Sequence, residues 1–262
     1  MVVKTLKPEQ RNNPTAVQDL QSEIYLMVAM RHPNILKALA MGKYQGLPFL
    51  VLEKLQSVLS NDLPKSSDAV PFWTRRTQVK KWPLIRGLQV AKQLAEALSY
   101  CHDGCFPGWR VLHRDLKPNN IGFMPDGNLA LFDFGLAKIW RISDGDDGTE
   151  RRRLTGNTGS LRYMAPEVAL SLPYSHRAEI FAWATICWQI IAHERHFNDC
   201  DVDAYYRRVC NGGERPKLTN NTPPQLGAIL VRCWEVDPAL RPEFSEIVPV
   251  LDALIANVAA NP

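Results

Sequence analysis

The run His113-Arg114-Asp115-Leu116-Lys117-Pro118-Asn119-Asn120 is the segment that best indicates the fold of this chain, because it puts an acid, a lysine and an amide close together. A second run, Asp133-Phe134-Gly135, follows a hydrophobic stretch and begins eighteen residues after Asp115. A third run, Ala165-Pro166-Glu167, comes farther along the chain. Two acids, a lysine and an amide in this order are the groups that phosphoryl transfer from a magnesium nucleotide requires.

Four of these side chains suit particular tasks in such a transfer. Asp115 would accept the proton of a substrate hydroxyl or orient it, and Lys117 would lie on the transferring phosphate as its charge shifts. Asn120 and Asp133 offer the hard oxygen ligands that Mg²⁺ prefers. We therefore predict Asp115, Lys117 and Asn120 as catalytic residues, with Asn120 and Asp133 as metal ligands. The alternative is a structural loop of solvated or capping side chains, which the spacing and the flanking strands disfavour.

The composition is typical of a globular protein with a full core. The chain has 262 residues, of which 45% are apolar and 22% charged, and this suits one large domain or two small lobes. Its six cysteines include no C-x-x-C pair. We therefore expect reduced thiols rather than disulfides or a zinc site, and a cytoplasmic location.

Two classes of partner are not expected. The longest apolar stretch, residues 180–192, has thirteen residues, which is too short to span a bilayer, so we expect no membrane partner. The formal charge of +4 is a weak bias. Basic residues between Trp73 and Trp82 suggest a nucleic-acid surface, but loops of this composition are more often solvated. We expect no nucleic-acid partner.

The first part of the chain predicts a small sheet with one helix. Residues 1–6 read as a strand, and Thr15 is a candidate N-cap for a helix with apolar positions at helical spacing. Glu23 falls on the apolar face of that helix. Because an unpaired buried carboxylate is costly, it needs a partner, and Lys4 is the obvious candidate. Two further strands are predicted at residues 35–41 and 49–53.

The rest of the chain is predicted to be mainly helical. Residues 120–123 and 129–132 form a hairpin across the turn Pro125-Asp126-Gly127. The periodicity predicts helices at residues 88–102, 179–192, 202–210, 225–234 and 244–258.

These runs resemble the eukaryotic protein kinase superfamily, and the resemblance extends from Lys4 to the last helix. The sequence around Lys117 is similar to that of serine/threonine kinases, and the run Arg232-Cys233-Trp234 looks closest to the tyrosine-kinase-like group of these. The resemblance implies an α+β, bilobal protein kinase fold within one domain, residues 1–262. A partial β-rich N-lobe would comprise residues 1–53, and a mainly helical C-lobe residues 54–262.

The resemblance also implies an ATP site. Lys4 would hold the α- and β-phosphates and pair with Glu23. Leu52 would lie at the back of the adenine pocket, where the Glu53 carbonyl and the Leu55 amide would bond the base.

By the same resemblance, Glu167 would pair with Arg241 to brace the larger lobe, and Ser160 would stand near the catalytic acid. Arg114 precedes that acid, as in kinases whose activation segment is ordered by a phosphate facing the arginine. Thr155 and Thr158 are the candidate phosphosites, which implies a possible upstream activating kinase. The alternative is that the charges of this segment only keep a long loop solvated.

The expected function is an ATP- and Mg²⁺-dependent serine/threonine protein kinase that transfers the γ-phosphoryl group to protein hydroxyls. Three departures weigh against full activity: no glycine-rich loop precedes Lys4, Glu179 replaces a usual aspartate, and Val2 replaces an alanine. We expect weakened transfer and an exposed sheet edge at Val2 and Val3. We expect a truncated product or gene model, which would explain the missing loop and the exposed edge. The alternative function is a pseudokinase that acts as a nucleotide-binding or protein-binding scaffold.

Overall fold

The chain begins with a three-stranded antiparallel sheet in the order β1–β3–β2, formed by β1 Val2–Thr5, β2 Ala38–Tyr44 and β3 Leu47–Leu52. The computed structural model describes residues 1–65, 69–143, 146, 148–197 and 200–260. Strand β1 lies at one edge of this sheet, and Val2 and Val3 are exposed there. In the register of β1 and β3, Lys4 lies opposite Leu50.

The second strand begins later than the sequence predicts, at Ala38 rather than at residue 35. Ile35 pairs instead with Leu131, and the Leu36 amide donates a 2.9 Å hydrogen bond to the Leu131 carbonyl. The predicted strand is therefore divided between two sheets, because its first residues complete the backbone hydrogen bonding of a strand far along the chain.

Helix α1, Pro14–Ala29, packs against this sheet. Its N-cap is Asn13, whose side-chain oxygen accepts hydrogen bonds from the amides of Thr15 and Ala16, so the prediction of Thr15 was wrong. Pro14 explains the shift, since proline has no N–H to satisfy and suits the first position of a helix. Glu23 is buried on the apolar face, as predicted.

The remainder of the chain is dominated by helices. They are α2 Leu59–Asp62, α3 Phe72–Lys80, α4 Leu84–Ser99, α5 Pro166–Ala169, α6 Arg177–Ala192, α7 Val202–Tyr205, α8 Pro224–Cys233 and α9 Phe244–Ala260. Two π-helical turns, Tyr100–Gly104 and Tyr206–Asn211, continue α4 and α7. The strands β4 Ser57–Val58, β6 Ile121–Phe123 and β7 Leu129–Leu131 form one sheet, and β5 Trp109–Leu112 pairs with β8 Lys138–Arg141. The predicted α+β class is confirmed.

Helix α6 is the centre of the helical part, with thirteen of its sixteen residues buried. Trp183 donates a 2.9 Å hydrogen bond from its indole to the Ala91 carbonyl in α4. A Cβ atom added at Gly87 would lie 2.8 Å from Ile191 Cδ1, so glycine permits the close approach of α4 and α6. Within the described residues, no helix is long and apolar enough to cross a membrane.

The predicted pair between Glu167 and Arg241 is present. Arg241 Nη1 and Nη2 lie 2.6 and 3.0 Å from the two carboxylate oxygens of Glu167, and the arginine side chain is fully buried. This bidentate pair ties α5, at the end of the predicted activation segment (residues 133–167), to the loop before α9. Removing one partner would leave a buried charge without compensation.

Candidate active site

Asp115 lies in the loop between β5 and β6, and three donors hold its carboxylate: two from the same loop and one, Ser160, from farther along the chain. Its Oδ1 accepts a 3.0 Å hydrogen bond from Ser160 Oγ. Its Oδ2 lies 2.5 Å from Lys117 Nζ and 3.0 Å from Asn120 Nδ2. The sequence-predicted catalytic residues are thus brought together, and the carboxylate is fixed in one orientation next to a positive charge.

Asn120 links this loop to Asp133. Its Nδ2 also donates to the Asp115 carbonyl at 2.8 Å, and within the described part of the chain its Oδ1 accepts no hydrogen bond. The Phe132 amide donates to the Asn120 carbonyl at 3.0 Å, so Asp133 follows directly after this contact. An amide oxygen without a partner and a half-exposed carboxylate are hard oxygen donors. This donor set fits Mg²⁺.

Lys4 joins two acids from distant parts of the chain. Its Nζ lies 2.6 Å from Glu23 Oε1 in α1 and 2.7 Å from Asp133 Oδ1 after β7. Burial disfavours the charged ammonium, but the two carboxylates outweigh it and raise the pKa of Lys4 above its ordinary value. Burial likewise disfavours the Asp133 carboxylate, yet the hydrogen bond and charge of Lys4 lower the pKa of Asp133. Both groups are therefore charged at neutral pH.

The backbone after β3 provides the groups expected to face adenine. The Glu53 amide donates to the Lys37 carbonyl at 3.1 Å. Among the described residues, the Glu53 carbonyl and the Leu55 amide form no hydrogen bond, so both stay available. The Leu55 side chain lies against Gly122, where an added Cβ would come within 2.6 Å of Leu55 Cδ1. Leu52 is half-buried at the end of β3.

Arg114, in the loop that carries Asp115, has a left-handed backbone conformation with a φ of 69°. Its amide donates a 2.7 Å hydrogen bond to Glu179 Oε1, and the other oxygen of Glu179 lies 2.8 Å from His102 Nε2. Burial disfavours the charged form of Glu179, but the histidine and the amide lower its pKa. The sequence indicated that this glutamate departs from a usual aspartate; the structure shows that it still bonds the catalytic-loop backbone.

The guanidinium of Arg114 faces the activation segment. Its Nη2 lies 2.5 Å from Thr155 Oγ1 and 2.7 Å from the Thr155 carbonyl, and its Nε donates to the Tyr174 hydroxyl at 2.9 Å. Thr158 makes no such contact, since its hydroxyl bonds the carbonyls of Thr155 and Gly156.

Two histidines for which the sequence predicted no role support the catalytic loop. His113 Nδ1 accepts from the Asp115 amide at 3.2 Å, and its Nε2 donates to the Phe132 carbonyl at 3.0 Å, so it joins the two catalytic segments. His102 is the buried partner of Glu179. Its position at the end of an amphipathic helix was a signal for burial, but nothing in the sequence named its partner.

The sequence matches the protein kinase domain family over residues 1–250. It is 31% identical over 258 residues to serine/threonine-protein kinase STY17 of Arabidopsis thaliana, covering 98% of this chain and 41% of that protein. It is 28% identical over 256 residues to serine/threonine-protein kinase VIK of Arabidopsis thaliana, covering 97% and 54%. It is 28% identical over 243 residues to mitogen-activated protein kinase kinase kinase 7 of Drosophila melanogaster, covering 92% and 32%.

The chain therefore spans between 32% and 54% of the length of these three relatives. The family match extends over nearly the whole chain, from the strand of Lys4 into α9. Together with the α+β fold and the motifs in their order, it identifies the chain as a member of the eukaryotic protein kinase superfamily.

Proposed function

We propose that this chain is a protein kinase that uses ATP and Mg²⁺ and transfers the γ-phosphoryl group to serine or threonine hydroxyls of proteins. The observation that carries the proposal is the ionic cluster of Lys4, Glu23 and Asp133. Asp133 of this cluster directly follows Phe132, whose amide donates a hydrogen bond to the Asn120 carbonyl. The Asn120 side chain in turn donates to the Asp115 carboxylate.

The residues divide into binding and transfer roles. Lys4 would donate to phosphate oxygens, Asn120 and Asp133 would hold the metal, and the backbone at Glu53 and Leu55 would bond adenine. Bound Mg²⁺-ATP supplies the phosphoryl group and a cation that neutralises phosphate charge.

Asp115 and Lys117 would act at the acceptor side. A substrate hydroxyl beside the Asp115 carboxylate would be oriented by it and lose its proton toward it, and the Lys117 ammonium would stabilise the negative charge on the phosphate. The three donors around Asp115 support this role, because an oriented carboxylate needs no rearrangement before it accepts a hydrogen bond.

The test is transfer from labelled ATP to peptides with serine, threonine or tyrosine as the only acceptor. Lys4→Met is compared with Lys43→Met, an exposed lysine in β2 of the same sheet that makes no ion pair with any described residue. We expect serine and threonine peptides to be labelled, Lys4→Met to abolish labelling and Lys43→Met to keep it. Nucleotide binding without labelling of any peptide would instead support the scaffold function.

We also propose a cytoplasmic location, protein substrates rather than nucleic acids or membranes, and control by an upstream kinase. The domain is proposed to consist of a partial N-lobe, residues 1–53, and a C-lobe, residues 54–262. The free thiols of all six cysteines support a reducing compartment. Imaging of a fluorescent fusion tests the location.

A further inference from the structure

A polar cavity of about 360 Å³ lies beside the catalytic loop. Its walls come from four places: α2 with the segment after it, the residues Pro118 and Asn119, Tyr163, and the end of α6 with the residues that follow it. Pro118 follows Lys117 directly. Because an extended chain advances about 3.3–3.6 Å per residue, a side chain a few residues from the acceptor would reach this cavity.

The charges that line the cavity are unbalanced. Lys65 and Arg195 are exposed there, and neither forms an ion pair with a described residue. Among the described residues that line the cavity, only Glu194 carries a carboxylate, and its Oε1 lies 2.5 Å from Arg75 Nη2. Since Arg75 neutralises this acid, the described lining residues have an excess of positive charge.

Neutral groups in the lining also favour an anion. Gln189 Oε1 accepts a 2.8 Å hydrogen bond from the Tyr163 hydroxyl, which leaves the amide nitrogen of Gln189 to donate. Asn61 and Asn119 add further amide donors. A carboxylate accepts several hydrogen bonds at once, so these donors would complement the two cations.

The neighbouring surface carries the same sign of charge. Residues 71–81, which include α3, contain four basic residues and no acid, and one of the four, Arg75, is paired with Glu194. Among them, Arg76 and Lys80 are four residues apart on α3 and both are exposed. A surface of one sign raises the local concentration of oppositely charged ligands and steers them toward a cleft.

We propose that this cavity binds the carboxylate of a glutamate or aspartate that flanks the serine or threonine acceptor, so that the chain selects acidic substrate sequences. This inference rests on the proposed kinase function, because it assigns the substrate class of the same site.

The test uses a peptide with a single serine among alanines. In its variants, one position between −4 and +4 carries glutamate, phosphoserine or arginine. We expect glutamate at one or more positions to raise kcat/KM about fivefold over alanine, the size of one or two exposed ion pairs, and arginine to lower it. Raising the NaCl concentration should reduce the preference. Equal rates for all peptides, or a preference for arginine, would overturn the inference, as would a preference for phosphoserine alone.

Variants locate the effect. Lys65→Glu and Arg195→Glu should each remove the preference for glutamate, and Lys43→Glu, with the same change of net charge outside the cavity, should keep it. A preference that survives both cavity variants would contradict the assignment. Binding of labelled peptides with alanine at the acceptor, followed by fluorescence anisotropy, is measured in parallel. If no peptide is phosphorylated, the proposed function fails, and anisotropy still decides whether the cavity prefers an acidic peptide.

Discussion

The amide of Arg114 donates a 2.7 Å hydrogen bond to Oε1 of Glu179, which lies 65 residues later in the chain. The second oxygen of the same buried carboxylate is bonded to His102. A left-handed backbone at an arginine costs about 1–3 kcal/mol and persists only where its surroundings hold it. Glu179 therefore fixes the backbone turn that presents Asp115.

Glu179→Ala should lower the free energy of unfolding by about 3 kcal/mol, because it leaves the Arg114 amide and His102 buried without an acceptor. Urea denaturation measures the loss, and Glu9→Ala, at an exposed glutamate, is the control. The free energy of unfolding of Glu179→Asp, whose side chain is one methylene shorter, should lie between those of Glu179→Ala and Glu9→Ala. An unfolding free energy of Glu179→Ala equal to that of the parent chain would show that Glu179 does not stabilise the backbone turn at Arg114.

Asp115→Asn should reduce phosphoryl transfer about a hundredfold or more while ATP affinity changes little, since Asp115 faces the acceptor rather than the nucleotide. Initial rates on a serine peptide and calorimetry with ATP separate the two effects. Asp19→Asn, an exposed position on α1, should match the parent in both. If Asp115→Asn phosphorylated the serine peptide at the parental rate, the Asp115 carboxylate would have no role in the transfer.

Asp133→Asn should weaken nucleotide affinity about tenfold or more in the presence of Mg²⁺, because it replaces a charged metal ligand by a neutral one. It also removes one of the two charges that hold Lys4. Calorimetry with and without Mg²⁺ checks this. If Asp133→Asn bound nucleotide in the presence of Mg²⁺ as tightly as the parent, the assignment of Asp133 as a metal ligand would be wrong.

Thr155 rather than Thr158 should be the controlling phosphosite, because its exposed hydroxyl lies against the Arg114 guanidinium. A phosphate there would form a charge-assisted pair with the arginine. Mass spectrometry of active protein should find phosphate at Thr155, and Thr155→Ala should reduce activity more than Thr158→Ala. Phosphate at Thr158 alone, with Thr155→Ala fully active, would refute this.

Stability should fall as the pH drops below about 6.5, the ordinary pKa of histidine. His196 is buried, its Nε2 donates to the Arg162 carbonyl at 2.6 Å, and burial lowers its pKa to about 3. Between these two values the unfolded chain binds a proton that the folded chain does not. The contribution is therefore complete above pH 6.5 and shrinks as the pH falls toward 3.

From pH 6.5 to 5.5, His196 alone should account for about 1 kcal/mol of lost stability. His196→Asn, which keeps an amide donor for the Arg162 carbonyl, should show a loss smaller by that amount. Urea denaturation at both pH values provides the comparison. The same loss in parent and variant would show that His196 is not the group responsible.

Several features could be predicted from local sequence because each depends on residues close in the chain. The hairpin of β6 and β7 follows from the turn Pro125-Asp126-Gly127 between two short apolar runs. The buried α6 follows from a long apolar stretch. The predicted N-cap at Thr15 was wrong because two local signals competed there: the side-chain oxygen of Asn13 and the fixed backbone of Pro14 place the N-cap two residues earlier.

The sequence alone predicts the α+β class, the order of the catalytic motifs and the candidate residues within them. The folded structure shows in addition that Lys4 reaches an acid 129 residues away, and that Arg114 contacts Thr155 rather than Thr158. It also decided that Glu179, one methylene longer than aspartate, still bonds the loop, with His102 on its second oxygen. Turns and helices are set by neighbouring residues, whereas an ion pair depends on distances of a few ångströms that the packing of the whole chain fixes.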